Sequence, residues 1–172
     1  EKGFALNPND LGLIYIMINY YLERNESNNA LDYVAKAKAS DPKNPTLWFA
    51  EGSLLDKLGK PVEALVAYDQ AIVLEPTNYS FYYNKGVVYF NHAVKLLEEA
   101  DKAKTNAEFD KWKSASDKEF FNAVAPMEKA LELHENDRDV METLKSLYFR
   151  LRTQYSEMEG KYNDIVKKLE QL

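Results

Sequence analysis

Apolar positions recur every three or four residues along most of this chain, and the recurrence is punctuated at regular intervals by proline, glycine and asparagine. The clearest block is Pro45 to Asn78. Its first arm places Trp48, Gly52 and Leu55 on one helical face, and its second arm places Ala64, Tyr68 and Ala71 on another. Leu58-Gly59-Lys60-Pro61 joins the arms, and Pro76 forbids further helix. A helical hairpin is the expected product. The block upstream, Leu11 to Asn44, keeps the same spacing with Ile14, Tyr21, Ala30, Ala37 and Pro42. Downstream, Tyr82, Gly86 and Tyr89 repeat the first arm, and Ala123, Met127 and Ala130 repeat the second after an insertion. A fourth block opens near Arg138 with Met141, Leu144 and Tyr148, and Gly160, Tyr162, Ile165 and Leu169 follow as its turn and second arm.

This order of aromatic, glycine, aliphatic, alanine, aromatic, alanine and proline over about 34 residues resembles the tetratricopeptide repeat. The resemblance implies an all-α fold, an α-solenoid in which antiparallel helix hairpins stack into a right-handed superhelix, here with one elongated hairpin. The expected organisation is a single domain over 1–172: residues 1–10 as the tail of a preceding repeat, then repeats at 11–44, 45–78 and 79–137, and a fourth repeat with a capping helix at 138–172. Phe4, Leu6 and Pro8 are spaced as Ile72, Leu74 and Pro76 are, so the chain is expected to begin inside a repeat of a longer protein. The small residues have a packing reason. Where helices cross closely, anything larger than Ala or Gly pushes the backbones apart, so Ala30, Ala64 and Ala123 are placed at the crossings with Gly52 and Gly86 facing them. Trp48 is placed in the core, and Ser27, Asn44, Asn78 and Asp137 are placed as caps.

The insertion, about 94–122, has no Gly or Pro and carries Leu96, Leu97, Phe109, Trp112 and Phe120 at helical spacing. It should lengthen both arms of the third hairpin, with the turn at the Thr105 and Glu108 capping box. Phe109 and Trp112 either seal the seam between the long arms or offer an aromatic patch to a partner. Pro126 should kink or break the second arm. In the fourth block the first arm is expected to be lengthened, its stripe running from Val140 to Met158 before Gly160 turns the chain.

Charge narrows the partners. The net charge of −6 and the interleaving of Lys with Asp and Glu through the insertion leave no basic stripe, which disfavours nucleic acid. The apolar run Leu11 to Leu22 is shorter than the ~20 residues a membrane span takes, so no membrane insertion is expected. With no cysteine, thiol nucleophiles and thiolate metal sites are excluded, while a cytoplasmic and an exported setting both fit. His92 and His134 show no metal-binding pairing, and no nucleophile elbow, phosphate loop or calcium loop occurs. Neither catalysis nor a cofactor is expected.

The resemblance implies a concave groove lined by first-arm residues one, two, five and more positions after the Trp48 equivalent. Carried over position by position, the candidate ligand contacts are Tyr15 and Asn19, then Phe49, Ser53 and Asp56, then Tyr83, Asn84, Phe90 and Asn91, with Arg150 in the fourth unit. The family's chaperone-binding branch grips an acidic tail with a Lys where Tyr15, Phe49 and Tyr83 stand here, which argues against that clamp. The groove is instead aromatic and largely neutral. Its aromatics serve either packing between repeats or direct contact with a peptide. The expected function is a non-catalytic module binding a protein or peptide partner; a self-assembling scaffold, joined through the apolar N-terminal end, is the alternative, and a small-ligand or glycan-binding role a more distant one.

Overall fold

The computed structural model describes residues 11–172. Among them the secondary structure is helical, in eight helices: α1 (Leu11–Glu23), α2 (Ser27–Ser40), α3 (Pro45–Lys57), α4 (Pro61–Leu74), α5 (Tyr79–Asp101), α6 (Asn106–Leu133), α7 (Arg138–Leu151) and α8 (Glu157–Leu169). The sequence motif at Phe4, Leu6 and Pro8 lies outside the described residues. The chain divides into two compact units, Glu1–Thr77 and Asn78–Leu172. In each, consecutive helices pair as hairpins, and the second helix of one hairpin packs on the first helix of the next.

In the first unit the core joins Ile14 and Ile18 of α1 to Ala30, Val34 and Ala37 of α2 and Leu47 and Leu54 of α3. Alanine is fully buried at each crossing, with Ala30, Ala64 and Ala71 at 0% exposure. Gly52, however, faces the ring of Tyr68 rather than an alanine, and Gly86 in the second unit faces the side chain of Met127. Each glycine thus makes room for a large side chain opposite. Trp48 also departs from expectation. It is half-buried, because its indole N–H reaches the Pro42 carbonyl at 2.9 Å and the Lys38 ammonium lies 3.2 Å from its ring centroid. Leu47, beside it, takes the core position at 1% exposure.

The second unit is organised on the long α5–α6 hairpin. Helices of 23 and 28 residues run about 35 and 42 Å at 1.5 Å per residue. The turn between them is a variant of the capping box: the Glu108 amide donates to the N-cap Thr105 Oγ1 at 3.2 Å, and the Glu108 carboxylate accepts at 3.2 Å from the amide of Lys104, one residue before the cap. Ala93, Phe120, Val124 and Met127 form a core with Val140, Leu144, Leu147 and Leu151 of α7 and Met158, Ile165 and Leu169 of α8. Phe109 near the tip is exposed, and Trp112 is half-buried with Lys111 5.0 Å from its ring centroid.

Of the kink or break expected at Pro126, the break does not occur: α6 continues to Leu133 with the proline buried in the unit's interior. Three other local expectations are corrected. Ser27 is the buried first residue of α2 and caps nothing, Glu26 preceding it. The first arm of the fourth hairpin ends at Leu151, whose carbonyl accepts from the Gln154 and Tyr155 amides at 3.0 Å, so Met158 belongs to α8. Gly160 consequently lies inside α8 and ends no arm. Left-handed residues do close other helices at Asn25, Gly59 and Asn136. Asn44, Asn78 and Asp137 cap α3, α5 and α7 through their side chains.

Candidate binding surface

The first-arm candidates fall into two groups, one in each unit. In the first unit, Asn19 on α1 is exposed, and Phe49, Ser53 and Asp56 on α3 are half-buried. The side chain of Tyr15 lies outside the described residues. Phe49 leans on Tyr68 with ring centroids 5.7 Å apart. Ser53 Oγ donates to the Phe49 carbonyl at 3.0 Å and lies 3.1 Å from the Tyr68 hydroxyl. Burial pushes the Tyr68 phenol above its ordinary pKa, against the opposing bond to Ser53. These contacts fix Phe49 and Ser53 in place while leaving part of each accessible.

In the second unit, Tyr83 stacks on Tyr79 with centroids 5.7 Å apart, and the Asn84 amide donates back to the Ser80 carbonyl at 2.8 Å. Asn91 is exposed. Phe90 meets Phe120 edge to face at 5.3 Å, and the Arg150 guanidinium lies 4.3 Å from the Phe120 centroid. Phe90 of α5 and Arg150 of α7, far apart in sequence, are thereby brought to one place. They line an apolar hollow of about 520 Å³ with Val94, Leu97, Phe120, Leu147, Phe149 and Tyr162. Ser146 and Lys145 complete its rim.

Three features escaped the sequence reading. Phe120 supports both Phe90 and Arg150, although its spacing marked it only as apolar. Asp137, read as a cap, also accepts from the Tyr79 hydroxyl at 2.7 Å and sits 3.3 Å from His134 Nδ1, so one carboxylate ties α5, α6 and α7 together. Burial would raise its pKa, but the bonds from Tyr79, the Val140 amide and His134 together hold it below the ordinary carboxylate value. Glu128 in turn accepts from the Tyr148 hydroxyl at 2.7 Å and from Lys161 at 2.6 Å, and burial followed by that carboxylate pushes the Tyr148 phenol well up. Only contacts between helices reveal such carboxylates. Among the described residues no group of His, Asp and Glu is arranged to hold a metal ion, and no helix is long and apolar enough to cross a membrane.

Residues 52–92, which include the first-arm positions Ser53, Asp56, Tyr83, Asn84, Phe90 and Asn91, match the family model described as TPR repeat. This stretch of the chain is similar to the tetratricopeptide repeat. A TPR repeat-containing protein of Methanocaldococcus jannaschii is 32% identical over 95 residues, covering 52% of this chain. The chain matches only 17% of that relative's length. Among solved structures, MamA superposes with a TM-score of 0.70 at 18% identity, over 99% of this chain and 84% of that one. The first TPR domain of Spaghetti (RPAP3), bound to an HSP90 peptide, superposes with a TM-score of 0.61 at 19% identity, over 82% of this chain and 94% of that one. At these identities the likeness is one of fold, and the chain is an all-α solenoid in class.

Proposed function

We propose that this chain is a non-catalytic module that binds a peptide or partner segment through the first-arm residues of its hairpins. The observation that carries the reading is the state of those residues. Phe49, Tyr83 and Phe90 are each fixed by a neighbouring ring yet keep part of their surface accessible, which is the condition in which an aromatic anchors a partner with little ordering entropy to lose. The repeat domain of similar fold that was solved with an HSP90 peptide supports a peptide as occupant. Its acidic tail is not the ligand inferred here, since Phe49 and Tyr83 stand where the chaperone-binding branch carries lysine. The test is capture of peptides selected from a displayed random library. A Tyr15→Ala, Phe49→Ala, Tyr83→Ala triple variant, shown to be folded by circular dichroism, should lose at least about tenfold in affinity, as expected for truncated aromatic anchors. Unchanged capture by that variant rejects the reading.

One observation favours self-association as a second reading. Ile16, Tyr20 and Leu22 of α1 are exposed, Ile16 at 62%. Contiguous bare apolar surface marks contacts. Sedimentation should then show a dimer that Ile16→Glu dissociates, and a monomer at high concentration removes this reading.

A further inference from the structure

Val94, Leu97 and Phe120, three of the residues that line the hollow between α5 and α7, all come from the 94–122 insertion. The repeat pattern alone therefore does not supply this pocket. Its charge runs against that of the chain as a whole. The protein carries a net charge of −6, yet the two charged residues lining the hollow, Lys145 and Arg150, are both cations. Lys145 is neutralised by an ion pair with Glu142 on the same helix. Arg150 is not. Its guanidinium lies 4.3 Å from the Phe120 ring centroid and makes no ion pair among the described residues, so its N–H groups are unclaimed by any carboxylate. Phe149, 51% exposed, also lines the hollow, and the Arg152 guanidinium lies 3.7 Å from its ring centroid.

We propose that this insertion-built pocket is the specificity subsite of the module, taking an apolar side chain of a partner peptide between Phe90 and Phe149 while a carboxylate beside that side chain is gripped by Arg150. The inference rests on the peptide-binding reading above and gives it a ligand class: segments in which an aromatic or large aliphatic residue adjoins Asp or Glu. A hollow of about 520 Å³ is ample for one large side chain and its backbone. Arginine suits the task because its planar fork meets a carboxylate bidentately, and the contact with Phe120 holds the guanidinium beside the hollow.

The probes are four short Gly-Ser peptides carrying Phe-Glu, Phe-Gln, Phe-Lys or Ala-Glu at the centre, titrated into the isotope-labelled chain and followed by NMR shift changes. Phe-Glu is expected to bind about tenfold or more tightly than the other three, since a charge-assisted pair and an apolar anchor are each lost separately. Arg150→Glu should reverse the order of Phe-Glu and Phe-Lys, and Phe149→Ala should weaken both. Both side chains are accessible, so these variants should fold, and the circular dichroism melt checks that. Equal affinity for all four peptides, an order that Arg150→Glu leaves unchanged, or shifts confined to helices other than α5, α6, α7 and α8 would each overturn the proposal. Absence of any binding by these probes also overturns it, while the triple aromatic variant decides separately whether the module binds peptides at its first arms.

Discussion

Replacing Gly52 by alanine isolates the packing argument at a single methyl group. In α3 the change should help by itself, since Gly is worse than Ala in a helix interior by about 1 kcal/mol. The added Cβ, however, would stand 2.9 to 3.0 Å from the Tyr68 ring. Ordinary contact requires the ring to retreat by about 0.5 Å. Tyr68 is 1% exposed and its hydroxyl is engaged with Ser53 at 3.1 Å, so it has nowhere to go. Overpacking of this kind costs about 1 to 3 kcal/mol, which leaves a net destabilisation of up to about 2 kcal/mol and a melting temperature lower by several degrees. Thermal and urea melts followed by circular dichroism read the effect. The control is Gly160→Ala, where nothing lies within 4 Å of the new methyl group and the helical gain should appear alone. In a Tyr68→Ala background Gly52→Ala should likewise become stabilising, a coupling that a double-mutant cycle measures. If Gly52→Ala raises the melting temperature as much as Gly160→Ala does, the close approach is not what the glycine is for.

Pro126→Ala should stabilise the second unit by about 1 kcal/mol, removing a helix-interior proline penalty of about 3 kcal/mol (lost backbone bond and ring clash together) at the loss of two buried methylenes, and a lowered urea midpoint would contradict this. Asp137→Ala should destabilise by about 1 kcal/mol or more through loss of the α7 cap and the Tyr79 bond. Because the folded pKa of Asp137 is depressed, that difference should be full above the ordinary carboxylate value of about 4 and vanish as pH falls through the lower folded value. Melts of both proteins across the acid range test this. Tyr148 behaves in the opposite sense: its raised folded pKa means its contribution is full below the ordinary phenol value of about 10 and is lost as pH rises through the folded one. Wild type should therefore lose stability at alkaline pH more steeply than Tyr148→Phe, and parallel curves would refute the assignment.

Much of the fold could be read from the residues because it depends on local signals. Alanine at a fixed spacing, Pro45, Pro61 and Gly59 at boundaries, and the Thr105–Glu108 box each act within one turn of helix. What eluded the reading depended on neighbours distant in sequence. Trp48 left the core for the Pro42 carbonyl, an acceptor that only the α2–α3 corner presents. Gly160 looked like a turn because helix ends use glycine, whereas the chain between Leu151 and Glu157 had already turned. Pro126 was read from its penalty alone, and its burial belongs to tertiary packing. The candidate surface shows the same division: the repeat resemblance placed Phe90 and Arg150 on first arms, but their meeting over Phe120 follows from how α5, α6 and α7 pack.

Hydroxyl-radical footprinting of the chain, free and saturated with a selected peptide, tests the binding claim most directly. The account predicts protection at Phe49, Tyr83, Phe90 and Phe149, with no change at Val62, Val66 and Val73, the exposed valines of α4. Protection of those valines with the four aromatics unaltered would place the partner elsewhere and contradict the account.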